Sequence, residues 1–181
     1  MSTFESDFFR YYGKNWNWKY FKYILLDHGL FFLFILRTLQ TTHNPLIRFL
    51  AKLIYFRTVK KYGLEISPKT KIGKGLYLGH AYNITINPGA VIGDNCNIHK
   101  GVTIGQENRG KRKGAPVIGS RVRIGVNATI VGRIEIGDDV LIAPNAFVNR
   151  DVPSHSIVIG NPCRIIPKQG ATEGYINNVV E

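Results

Sequence analysis

The chain has 181 residues and a formal net charge of +12 at pH 7, with 44% hydrophobic residues and only two cysteines. That length supports one compact unit, and two cysteines imply no disulfide framework, which fits a reducing compartment. The cationic balance admits polyanionic partners, but no nucleic-acid recognition motif accompanies it, and no nucleic acid is expected.

Residues 1–62 hold ten Lys or Arg against three acids, and their apolar residues fall at helical spacing. Two main helices are expected, over Phe21 to Leu39 and Leu46 to Tyr62, with Thr41-Thr42-His43-Asn44-Pro45 as the breaker and a short leading helix before them. The apolar stretch Gly29 to Leu36 falls well short of the ~20 residues of a membrane span. Met1 to Asp7 does not resemble the basic start of a signal peptide, so a cytoplasmic protein is expected. Trp16, Trp18 and Tyr20 among lysines suit an anionic membrane surface, a peripheral position at its inner face, and equally suit packing onto the rest of the chain.

From residue 63 a different rhythm begins. Ile66, Ile72, Leu78, Ile86, Ile92, Ile98, Ile104, Ile118, Ile124, Ile130, Ile136, Ile142 and Val148 are spaced by six residues, except after Leu78 and Ile104. Six is neither a strand nor a helix period, and such self-similarity marks a solenoid. The expected fold is mainly β, a parallel β-helix of hexapeptide repeats over 63–166 with a small N-terminal helical region over 1–62 and a poorly structured tail over 167–181. Three strands complete a coil, so knobs stack every third rung. One face holds Ile66, Ile86, Ile104, Ile130 and Val148; the second Ile72, Ile92, Ile118 and Ile136; the third Leu78, Ile98, Ile124 and Ile142.

The two breaks in rhythm are where function is expected, because insertions in a repeat emerge as loops on one face. The first extrudes His80 within Gly79-His80-Ala81-Tyr82-Asn83. The second inserts the arm 105–116, which is too polar to pack on its own coil. Stacking places Glu65, beside Ile66, at the same prism edge as His80, followed upward by His99, by Val126 with Asn127, and by Ala143 with Asn145. A carboxylate beside an imidazole suits a general base that takes a proton from a hydroxyl. His99 by itself reads as an ordinary satisfied histidine.

Glu65-Ile66-Ser67-Pro68, Ile72-Gly73-Lys74-Gly75-Leu76-Tyr77-Leu78-Gly79-His80, Ile84-Thr85-Ile86-Asn87, Val102-Thr103-Ile104-Gly105 and Gly160-Asn161-Pro162-Cys163-Arg164 together resemble the serine acetyltransferase group of hexapeptide acyltransferases. They also resemble its short relatives that O-acetylate sugars in capsule and exopolysaccharide synthesis. The resemblance implies a left-handed β-helix, a homotrimer with acetyl-CoA bound between subunits, and no metal. It implies His80 as base and Glu65 as its acidic partner. Gly105, Val126 and Ala143 then lie along pantetheine, Arg112 and Lys113 are candidates for the CoA phosphates, and Tyr82, Asn83 and His99 are candidates for acceptor contacts. Serine acetyltransferases carry an aspartate where this chain has Gly79 and a histidine where it has Ala115. Because both belong to the amino-acid acceptor side, a sugar hydroxyl is the expected acceptor and free serine the alternative. A three-histidine zinc hydrolyase and a non-catalytic scaffold are further alternatives on the same fold.

Overall fold

The computed structural model describes residues 1–181 and divides them into a helical cap, a triangular β-solenoid and a C-terminal strap. The cap consists of α1 (Thr3–Tyr12), a single 3-10 turn at Trp18–Tyr20, α2 (Phe21–Leu26), α3 (His28–Thr41) and α4 (Pro45–Tyr62). Ser2 and Glu5 form a reciprocal capping box that starts α1, satisfying donors that the first turn leaves unpaired. The sequence signals for α4 operate as expected: Asn44 accepts from Leu46 and Ile47 N–H, Pro45 occupies the first turn, and Gly63 ends the helix at φ 66°.

One expectation fails here. Phe21 to Leu39 is not one helix, because Asp27 leaves the helical conformation, accepts from Leu30 N–H and starts α3 afresh. The chain turns by 114° at this point. No single helix is long and apolar enough to cross a membrane.

The solenoid comprises fourteen parallel strands and a closing one, distributed over three faces. The first face stacks β1 (Leu64–Ile66), β4 (Ile84–Ile86), β7 (Thr103–Gly105), β10 (Thr129–Val131) and β13 (Phe147–Val148). The second stacks β2 (Lys71–Ile72), β5 (Val91–Ile92), β8 (Val117–Ile118) and β11 (Glu135–Ile136). The third stacks β3 (Tyr77–Gly79), β6 (Asn97–His99), β9 (Arg123–Ile124), β12 (Val140–Ile142) and β14 (Ser156–Ile159), and β15 (Arg164–Pro167) returns antiparallel on β14. The predicted knobs pair in register on all three faces: Ile66 on Ile86, Ile92 on Ile118, Ile98 on Ile124 and their successors. All but the half-buried Ile72 join one core of 30 buried residues that begins with Phe32, Leu33 and Leu36 of α3.

A solenoid exposes a row of unpaired backbone groups at each end, and terminal caps are needed to cover it. Here polar side chains of the helices satisfy the lower rim one group at a time. Arg37 of α3 uses all its donor positions, on both oxygens of Asp7, on Gln40 Oε1, and on the carbonyls of Ile72 and Gly73. Arg10 Nε donates to Gly75 O, while Tyr11 Oη donates to Leu78 O and accepts from Leu78 N–H. Tyr55 Oη donates to Ile66 O, and Gln40 Nε2 to Thr70 O. Burial pushes the Asp7 carboxyl up against the opposing pull of Arg37.

The aromatics of the cap differ in burial. Phe4, Phe8 and Trp16 pack edge to face at 5.1–5.5 Å, whereas Trp18 is 74% exposed. Along α4 only Ala51 and Thr58 are buried, so Leu46, Phe49, Leu50, Leu53 and Phe56 face outward.

The tail corrects a second expectation: residues 168–181 are not poorly structured. Asp139 accepts from Ala171 N–H, Thr172 N–H and Thr172 Oγ1, and Asn95 bonds both ways with Val180. Asn97 Nδ2 donates to Tyr175 O, and Asn178 Nδ2 to Arg10 O. The tail is thus a strap tied across the third face and onto α1. Its partners are polar groups buried on the solenoid wall, which composition alone does not reveal.

Candidate active site

The inserted corner between β3 and β4 carries His80, exposed and held at φ 51°. A left-handed conformation is uncommon for a residue with a side chain and marks an over-determined position. Several groups determine it. His28 Nε2 bonds to Ala81 O at 3.0 Å, and its ring stacks on Tyr62 at 4.7 Å and lies tilted against Tyr82 at 4.5 Å. Asn83 N–H donates to Tyr62 O, and Lys100 N–H to Gly79 O. In the sequence His28 is marked only by the polar Asp27-His28 pair preceding the apolar run Gly29 to Leu36.

Above His80 the corner continues as expected. Asn127 N–H donates to Lys100 O, and Asn145 N–H to Val126 O, so Val126 and Ala143 do occupy successive coils of this edge. His99 pairs in register with Gly79. That juxtaposition explains Gly79: a Cβ there would stand 2.5 Å from His99 Nδ1, so no side chain fits while the ring is in place.

Glu65 lies on the first face, exposed, one coil below Thr85. It borders a cleft of about 390 Å³ between α4 and the sheet, together with Tyr55, Thr85, Asn87 and Gly105. Burial raises the Tyr55 hydroxyl above its ordinary range, and the Glu65 carboxylate raises it further. Glu65 pairs with Thr85 of β4, the strand that follows the His80 corner, and forms no ion pair with His80: the ion pairs of the chain are Asp7 with Arg37 and Asp139 with His155. Gly105, on the Glu65 side, is brought to the cleft; Tyr82 and Asn83, both exposed, stay on the His80 side.

The arm is ordered although its side chains are exposed: it closes on itself through a Glu107–Gly114 bridge and rests on the next coil through an Arg133 N–H bond to Arg112 O. Arg112 also donates to Asn149 O, and Lys113 is exposed. Ala115 is half-buried at the arm's base. Backbone hydrogen bonding, which a polar composition does not forbid, ties the arm down.

Cys96 is fully buried, its thiol pushed up to about 12 by burial, and is inert as a nucleophile. No group of three or more His, Cys, Asp or Glu gathers at metal-binding distances. The chemistry on offer is an exposed imidazole on an inserted corner and, on the first face, an exposed acid bordering a cleft.

The chain is similar to known proteins in both sequence and fold. Residues 115–150 match the family model described as bacterial transferase hexapeptide (six repeats). The chain is 35% identical over 145 residues to a serine acetyltransferase of Helicobacter pylori, covering 80% of this chain and 85% of that protein. Among solved structures, serine acetyltransferase of Brucella abortus in complex with coenzyme A superposes with a TM-score of 0.76 at 28% identity, covering 93% of this chain and 68% of that one. Soybean serine acetyltransferase complexed with serine gives 0.66 at 32% identity and covers 77% of this chain. This chain spans 57% of that soybean chain's length.

Proposed function

Because this chain belongs to the serine acetyltransferase family and is an acyltransferase, we propose that it moves the acetyl group of acetyl-CoA to the side-chain hydroxyl of serine. The observation that carries this reading is the imidazole of His80, presented by an inserted corner of an otherwise regular solenoid. His80 takes the hydroxyl proton as the serine oxygen attacks the thioester carbonyl, and backbone N–H groups stabilise the developing oxyanion. Collapse breaks the C–S bond, and the departing thiolate recovers the proton from the imidazolium. Glu65 is the acidic partner across the edge; catalytic hydrogen bonds are often long before substrate binds and tighten with it. The donor lies in a groove completed by a neighbouring copy in a homotrimer, with Gly105, Val126 and Ala143 along pantetheine and Arg112 and Lys113 toward the phosphates.

A second reading, a sugar hydroxyl as acceptor, is favoured by Gly79 and Ala115. An ammonium and a carboxylate taken from water need specific partners, and His99 occupies the space an acid at position 79 would need. The outer face of α4 belongs to this reading. It joins exposed Leu46, Phe49, Leu50, Leu53 and Phe56 to Arg48, Lys52, Arg57, Lys60 and Lys61, with no acid between residues 45 and 62. That face fits an anionic lipid surface, whereas the same face of a second copy would set further cations against its own. Co-sedimentation with anionic but not neutral vesicles is expected.

Thiol release from acetyl-CoA, compared between L-serine and a panel of sugars and oligosaccharides, decides between acceptors. With the productive acceptor, His80→Asn is expected to lower turnover by about 10²-fold or more while leaving assembly unchanged. Near-normal turnover in that variant would sink the base assignment.

A further inference from the structure

The third face carries a second polar hollow, apart from the Glu65 cleft. It encloses about 330 Å³ between α1 and the C-terminal strap, within the range of roughly 300–1,000 Å³ usual for small-molecule sites. Tyr77, Asn97 and Arg123 form its floor, one register column over three successive coils. Arg10 closes it from α1 and Tyr175 from the strap, while His99 sits in the adjoining column beside Gly79.

Its polar groups are under-used. No carboxylate lines the hollow, and neither Arg10 nor Arg123 forms an ion pair. Arg10 engages Nε with Gly75 O and Nη2 with Asn97 Oδ1, leaving Nη1 free. The Arg123 guanidinium lies 4.5 Å from the centre of the Tyr175 ring, a stack that fixes its plane and keeps its donors available. His99 Nε2 is buried without a partner. Burial first, then Arg123 and His80, push His99 down to about 4, so its ring is neutral near pH 7. Buried polar atoms normally find partners, and forked guanidinium donors match the two oxygens of a carboxylate or phosphate.

We propose that this hollow binds an anionic oxygen group, carboxylate or phosphate, of the acceptor whose hydroxyl is presented to His80. The word acceptor rests on the acyl-transfer reading; anion binding does not. His99 links the two places, since it touches both the hollow and the Gly79 backbone that leads into His80. The assignment also answers the loss of polar side chains at Gly79 and Ala115, by relocating acceptor recognition onto α1, the solenoid wall and the strap.

The test is a calorimetric titration of the full chain with inorganic phosphate, read without turnover, so that failure of the site and failure of acetyl transfer are separately visible. Saturable binding is expected, weakened about tenfold or more by Arg123→Gln and partly restored by Arg123→Lys. His99→Phe, which retains the ring's packing, provides a second weakened variant if Arg123→Gln unfolds. L-serine and a sugar phosphate, used as competitors, distinguish the two acceptor classes by which one displaces phosphate. In turnover, Arg123→Gln is expected to raise KM for the acceptor and leave KM for acetyl-CoA unchanged. Absence of saturable phosphate binding, or equal affinity in Arg123→Gln and His99→Phe, overturns the site. Displacement by neither competitor, or a rise confined to the KM for acetyl-CoA, overturns its assignment to the acceptor.

Discussion

The solenoid and its helical cap are held together in opposite ways. Each coil repeats the same nonpolar contact, an aliphatic knob on the knob below, so its core is redundant and local. The cap docks through single polar contacts without substitutes: the five donor contacts of Arg37, the rim bonds of Arg10 and Tyr11, and a carboxylate at Asp7 buried completely. Redundant apolar packing yields gradually to mutation, whereas a buried charge left alone is expensive at once. The molecule therefore concentrates its fragility at the junction beneath the candidate active site.

The sharpest way to break this contrast is Arg37→Met, which strands Asp7 in the interior. It is expected to cost about 3–5 kcal/mol in urea-induced unfolding, and the pair with Asp7→Leu is expected to recover part of that. A single-variant cost below that of a core knob would contradict the comparison. The matching solenoid variant is Ile104→Ala, for which a loss of about 2–5 kcal/mol is expected, with retained helical signal by circular dichroism.

The strap lies between these extremes. Burial alone would raise the Asp139 carboxyl, but bonds from Thr172, His155 and the Ala171 and Thr172 backbone hold it down to about 2. Asp139→Asn is expected to cost about 1–3 kcal/mol and to lower amide-exchange protection over residues 170–180 while β3, β6 and β9 remain protected. Uniform loss of protection would mean that strap and solenoid open together.

The smallest effect is a pH dependence at His99. Its folded value of about 4 lies below the ordinary 6.5, so between these values the unfolded chain binds more protons than the folded one, and stability falls as pH is lowered. That contribution is complete above pH 6.5 and lost toward pH 4. Arg123 and His80 face the ring and strengthen the trend. In urea titrations at pH 7.5 and pH 5, His99→Phe is expected to lose less stability than the parent chain. Equal losses would show that the ring is not held neutral.

Much of the fold was legible because a repeat writes the same instruction many times. Ile66, Ile86 and Ile104 announce their stacking by interval alone, and the structure pairs them in that register. The corner of His80 was legible as an interruption of the interval. By contrast, the bend at Asp27 was hidden because a capping carboxylate inside an apolar run is a weak local signal. Arg37, an isolated cation in the apolar α3, is the local sign of the buried pair with Asp7. The interval places Glu65 one coil below Thr85 of β4, yet it does not specify how far its side chain stands from His80.

The sequence by itself determined the solenoid, its three stacked faces, the corner that presents His80 and the position of the inserted arm, because each is a matter of periodicity or its breach. Only the tertiary structure decided how α1 and α3 seal the rim, how the strap crosses the third face, and that Arg10, His99, Arg123 and Tyr175 share one hollow. Those arrangements rest on single polar contacts between distant segments, Asn178 with Arg10 at a separation of 168 residues and Asn95 with Val180 at 85. A contact made once, between residues far apart, leaves no period to read.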